Sequence, residues 1–109
     1  MNIWYRVSDL DAARAFYREQ LGFTEEYVDE NGRWARLVRD GAEIGISEDA
    51  FERDEDIVAA VVVDDLKAEA ERLRAAGVNV GVVLEIPGAV RLLDVFDPDG
   101  NRVQLTEDI

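Results

Sequence analysis

The chain has 109 residues, a length that supports one hydrophobic core, with 48% apolar residues and no run approaching the ~20 needed for a membrane span. Its net charge of −13 argues against nucleic acid, which needs clustered Lys and Arg. The absence of Cys and His removes disulfides, thiol nucleophiles, the commonest metal ligand and the usual general base.

Met1 leads into Ile3, Tyr5 and Val7 without the basic start of a secretion signal, so a soluble cytoplasmic protein is expected, with neither a membrane nor a nucleic acid as partner. Asn2 to Val7 alternates as a first strand. Ser8-Asp9-Leu10-Asp11 has the form of a capping box, and Leu10, Ala13, Phe16, Tyr17 and Leu21 follow at helical spacing until Gly22. Three strands are predicted next, at Phe23 to Val28, Arg33 to Arg39 and Glu43 to Ser47, parted by the hairpin signals Asn31-Gly32 and Asp40-Gly41. The order then repeats: a strand at Val58 to Val63, a cap at Asp64 or Asp65, and a helix carrying Leu66, Ala70, Leu73 and Ala76 that stops at Gly77. Strands follow at Val78 to Ile86, Val90 to Phe96 and Arg102 to Thr106, parted by Pro87-Gly88 and Asp97-Pro98-Asp99-Gly100.

The two halves align with each other. Val7-Ser8-Asp9-Leu10 matches Val63-Asp64-Asp65-Leu66 at an offset of 56, and Asp40-Gly41-Ala42-Glu43-Ile44 matches Asp99-Gly100-Asn101-Arg102-Val103 at 59. The reading is therefore a single α+β domain over 1–109, built as module 1 (1–48), a charged linker (49–56) and module 2 (57–109), each module a βαβββ unit. Each strand must bury one face under the helices, which places Ile44, Ile46, Val103 and Leu105 in the core and turns the other face toward something else.

A paired βαβββ whose first helix ends in Leu21-Gly22-Phe23, closed by Asp97-Pro98-Asp99-Gly100-Asn101-Arg102-Val103-Gln104-Leu105, resembles the vicinal oxygen chelate superfamily of glyoxalase I, extradiol dioxygenases and bleomycin-resistance proteins. The resemblance implies a concave mixed sheet of eight strands with the helices outside, around a cleft completed by homodimerisation. It also implies four metal-ligand positions, which fall here on Asn2, Gly45, Val58 and Gln104. The duplication supports that mapping, because Asn2 and Val58 stand 56 apart and Gly45 and Gln104 stand 59 apart. Gly45 and Val58 have no side-chain donor, and two neutral amides are weak ligands, so neither a metal nor another cofactor is expected. The Lewis-acid chemistry of the family's enzymes would then have no source.

Alternation from those positions places Trp4 and Arg6 beside Asn2, Glu43 and Ser47 beside Gly45, Ala60 and Val62 beside Val58, and Arg102 and Thr106 beside Gln104. Trp34 and Arg36, and likewise Leu92, Asp94 and Phe96, complete the cleft. Trp4, Trp34 and Phe96 could stack on a planar ligand or fill a dimer seam. Glu43 and Asp94 could hold a ligand cation, or be spent on Arg6, Arg36 and Arg102. Arg6 matches an arginine that in glyoxalase I binds an acidic substrate arm, which favours an anion instead. The leading reading is a metal-independent protein that sequesters a planar, cationic small molecule. The alternatives are an enzyme of the same superfamily, acting through carboxylates or an unrecognised metal site, and an interaction module without a small ligand.

Overall fold

The computed structural model describes residues 3–49 and 58–109, so Asn2 and all but Asp49 of the predicted linker lie outside the described residues. In chain order the elements are β1 (Ile3–Arg6), α1 (Leu10–Ala15) running on into a π-helical turn (Phe16–Gln20), β2 (Thr24–Asp29), β3 (Trp34–Arg39), β4 (Ala42–Ser47), β5 (Ala59–Val62), α2 (Leu66–Ala75), β6 (Asn79–Val80), β7 (Leu84–Ile86), β8 (Val90–Phe96) and β9 (Arg102–Asp108). The α+β class and the two βαβββ modules are as the sequence predicts. The strand surface consists of two hydrogen-bonded sheets, one per module, ordered β1-β4-β3-β2 and β5-β9-β8-β6, with β7 also on β8.

The duplication reappears in the strand registers. Ile3 pairs with Ile44 across the parallel strands β1 and β4, and Ala59 pairs with Val103 across β5 and β9, at the same offsets of 56 and 59. Two local expectations change. The cap of α1 is Asp9 rather than Ser8, its carboxylate accepting from the backbone N–H groups of Asp11 and Ala12, while Ser8 N donates to Asp99 Oδ1. The single strand predicted over Val78 to Ile86 breaks between β6 and β7. Val80 and Val83 both pack against the core while Val82 is 70% exposed, so one residue slips out of the alternation where Gly81 N bonds Asp94 O.

The helix-facing side chains of both modules form one buried cluster, from Tyr5, Leu10 and Ile44 to Leu73, Val95 and Leu105. At ~25 cal/mol per Å² of apolar surface, this shared core is the main stabilising term. Polar pins cross the junction. The Tyr5 hydroxyl donates to Arg102 O (2.5 Å) and accepts from Ala59 N (3.0 Å), and the Tyr17 hydroxyl donates to the buried Asp97 (2.9 Å). Burial, with Asp97 beside it, pushes the Tyr17 hydroxyl well above its usual range, so it stays a donor. Asn101 Nδ2 donates to Arg6 O and Val62 N to Asp40 O, so the first strand of each module is tied to the last hairpin of the other.

The helices lie beside one another. Arg72 of α2 donates to Gln20 O at the end of the π turn (2.5 Å), and Arg39 bridges Leu21 O (2.6 Å) and Glu69 of α2 (2.8 Å). These contacts tie the end of the first helical segment and the end of β3 to α2 at the junction of the modules. Among the described residues no helix is long and apolar enough to cross a membrane.

Candidate functional site

The open face of module 1 is built by two rows of residues in register. One row runs Tyr27, Arg36, Gly45, Trp4 across β2, β3, β4 and β1, and the next runs Asp29, Trp34, Ser47, Arg6. The indole of Trp4 lies on the backbone of Gly45, where a Cβ would fall within 2.5 Å of the indole Cδ2. Gly45 is therefore needed for close approach and is itself buried. The Trp4 and Trp34 rings meet edge to face with centroids 5.7 Å apart, and Tyr27 tilts against Trp34 at 5.0 Å. The result is a three-ring plate, with Tyr27 half exposed, on the surface rather than in the core.

Tyr27 was missed by strict alternation. The pairing slips between Glu25 and Tyr27, so Glu25 keeps to the helix side, where Arg14 holds it at 2.7 Å, and Tyr27 comes round to the face of Arg36. The one signal was the broken period from Phe23 and Glu25 to Val28, which packs against the core. Phe96 lies on β8 of the module 2 sheet, opposite Asn79 and Arg102, and makes no ring contact with Trp4 or Trp34.

On module 2 the same face carries Ala60, Val62, Leu92, Asp94, Arg102, Gln104 and Thr106, with Leu84 brought there by its pairing with Leu92. Gln104 Nε2 approaches Asp94 Oδ1 at 3.4 Å. Val58, one residue before β5, is half buried. The carboxylates Glu43 and Asp94 each stand beside an arginine, Arg36 at 3.8 Å and Arg102 at 3.6 Å, beyond hydrogen-bond length. The buried Nε of Arg36 has no hydrogen-bond partner, and Arg6 is exposed.

The four mapped metal positions do not fit a metal. Trp4 fills the space a ligand side chain at 45 would need, Val58 offers no donor, Gln104 is a neutral amide beside Asp94, and Asn2 lies outside the described residues. Among the described residues no three His, Cys, Asp or Glu side chains come close enough to hold an ion. A cavity of about 690 Å³ lies at the module junction around Arg39, Val62, Asp64, Glu69 and Arg72, and none of the three plate residues lines it.

A family model described as Glyoxalase/Bleomycin resistance protein/Dioxygenase superfamily matches residues 2–105. Comparison with the curated proteins found no match. Among solved structures, the chain is similar to TnmS3, an antibiotic binding protein from Streptomyces sp. CB03234, with 28% identity, a TM-score of 0.76 and coverage of 99% of this chain and 93% of that one. It is also similar to the fosfomycin resistance protein FosX from Listeria monocytogenes (22% identity, TM-score 0.78, coverage 100% and 92%). A third likeness is to lactoylglutathione lyase from Agrobacterium tumefaciens (21% identity, TM-score 0.73, coverage 98% and 91%). The latter two likenesses bear on the fold alone.

Proposed function

Because the chain belongs to the Glyoxalase/Bleomycin resistance protein/Dioxygenase superfamily, we propose that it binds and sequesters a planar small molecule without a metal, as a homodimer. The observation that carries this reading is the surface plate of Trp4, Trp34 and Tyr27, seated on a glycine at a position where a family metal site would need a ligand. Sequestration needs affinity and no catalytic group, and stacking supplies affinity to any flat π system, at ~0.5–1.5 kcal/mol per ring pair beyond area burial. The likeness to an antibiotic binding protein supports it.

The second copy enters because Tyr27, Val62, Leu84 and Ile86 are all at least half exposed on the strands, an apolar surface that a soluble monomer covers. A partner laid over the open faces closes the plate into a slot. Because Glu43 and Asp94 each have a neighbouring arginine, local charge is nearly balanced, and the preference for a cation comes from the −13 field of the whole chain.

The chain's two tryptophans are both in the plate, so their fluorescence reports binding directly. Titration with a panel of planar aromatic molecules should give saturable quenching, with the ligand recovered intact and elemental analysis of the dialysed protein free of stoichiometric transition metal. Consumption of ligand beyond one equivalent per site would make the protein an enzyme. Failure of every planar ligand to quench would refute the reading.

A further inference from the structure

Glu43 and Asp94, the carboxylates to which the sequence points, each stand beside an arginine, at 3.8 and 3.6 Å. Another carboxylate on the open face of module 1 does not. Asp29, at the end of β2, pairs with Trp34 across the antiparallel strands, and directly opposite residues share a face. It follows Tyr27 by two residues, so it borders two of the three rings. Among the described residues no arginine or lysine comes within ion-pair distance of it: Arg33 in the adjoining turn is held by Glu48 at 2.9 Å, and Arg36 faces Glu43. Arg6, at the far end of the same row, stands three strands away, roughly 14 Å at ~4.8 Å per strand and beyond the ~10 Å screening length of 0.1 M salt.

The turn after β2 fixes this carboxylate. Gly32 N donates to Asp29 Oδ1 at 2.9 Å, which pins one oxygen and leaves Oδ2 with no protein partner among the described residues. A Cβ at residue 32 would fall 2.9 Å from Cδ1 and Nε1 of Trp34 and 3.3 Å from Asp29 Cγ. The carboxyl and the pyrrole edge of the indole therefore lie against the same point, and a glycine there lets both approach it. A ring stacked on Trp34 has its rim beside an anchored, half-buried carboxylate.

We propose that Asp29 selects the charged group of the ligand: it accepts a hydrogen bond from an N–H cation, a protonated amine or amidine, carried on the rim of the planar ring system. The −13 field draws any cation toward the surface, whereas Asp29 favours one that can donate at that edge. This rests on the three-ring plate as the binding surface and does not require a second copy.

Three planar probes built on one ring system separate these effects: one neutral, one with a primary ammonium arm, and one with a trimethylammonium arm of the same length. The two cations carry equal charge, and only the primary ammonium has N–H donors. Titrated at low salt by tryptophan fluorescence, the parent should bind the primary ammonium about three- to fivefold tighter than the quaternary one, the range of a half-exposed charged pair. Asp29→Asn keeps an oxygen to accept from Gly32 N and removes the charge, so it should erase that difference while leaving the affinity for the neutral probe as in the parent. Glu71→Gln, which removes the same net charge from an exposed position on α2, should keep the difference. Equal binding of the two cations by the parent, an undiminished difference in Asp29→Asn, an equal loss in Glu71→Gln, or a neutral probe weakened as much as the ammonium would overturn the role of Asp29 and leave the plate standing. A parent that binds none of the three probes would overturn the plate as a binding surface, and Asp29 with it.

Discussion

At equivalent backbone positions the two modules carry different chemistry. Where module 1 has Trp4 over Gly45, module 2 has Ala60 beside Gln104, and where Trp34 pairs with Ser47, Leu92 pairs with Thr106. Between the first, third and last strands of each module the registers are the same, so there the difference lies in side-chain volume and in charge sign. Duplication has conserved the positions of the residues while dividing their work. One face presents rings that can stack, and the other presents small, aliphatic and polar side chains at the equivalent positions.

The sharpest way to break that comparison is to substitute equivalent residues. Gly45→Leu drives a side chain into the Trp4 indole and should cost about 1–3 kcal/mol by overpacking, along with ligand quenching, whereas Gln104→Leu should stay within about 0.5 kcal/mol. Urea unfolding of the two variants decides it, and equal losses would mean that the modules are not differentiated as described. Next in size, Trp34→Ala removes both ring contacts of the plate and should weaken planar ligands by about tenfold, while Leu92→Ala should cost about two- to threefold. An equal loss from the two would place the ligand across both walls without preference.

Acid should act on the helix side and the junction. The hydrogen bond from Arg14 holds the Glu25 carboxyl below its usual range. For Glu69, burial alone would push upward, but hydrogen bonds from Arg39 and Arg72 outweigh it and leave the group lowered. A carboxyl lowered in the folded state contributes stability that is fully present above its unfolded value of about 4.3 and is lost as pH falls through the lower folded one. Urea midpoints should therefore drop from about pH 5 to about pH 3, and Glu69→Gln should make that drop shallower. An unchanged slope would remove Glu69 from the clamp between modules. The smallest effect is ligand charge. A cationic planar probe should bind about threefold tighter than a matched anionic one at low salt, with the gap closing at about 1 M, where screening acts within ~3 Å. A preference for the anion would hand the site to Arg6 and Arg36.

The core was legible because burial under a helix imposes a period of two on a strand, so Ile44, Ile46, Val103 and Leu105 declared themselves. The face opposite was legible only where the alternation held. Trp4, Trp34 and Arg36 fell on it as expected; Tyr27 did not, because a slip inside β2 inverts every side chain beyond it. Gly45 was read as a ligand position lacking a donor, since residue type alone does not disclose that an indole from the neighbouring strand occupies the space above it.

By itself, then, the sequence determined two βαβββ modules, their offsets, their turns and which strand faces enter the core. These follow from local rules: period two, period 3.6, and turn residues that admit unusual backbone angles. Tertiary structure alone decided the slips at Glu26 and at Gly81, which bring Tyr27 and Leu84 onto the open faces, because Val28 and Val83 satisfy the core only if one residue is skipped. It decided as well that the end of the first helical segment and the end of β3 meet α2, through Arg72, Arg39 and Glu69. That arrangement depends on contacts between residues up to 52 positions apart, and no pattern within one strand or helix carries information across such a distance.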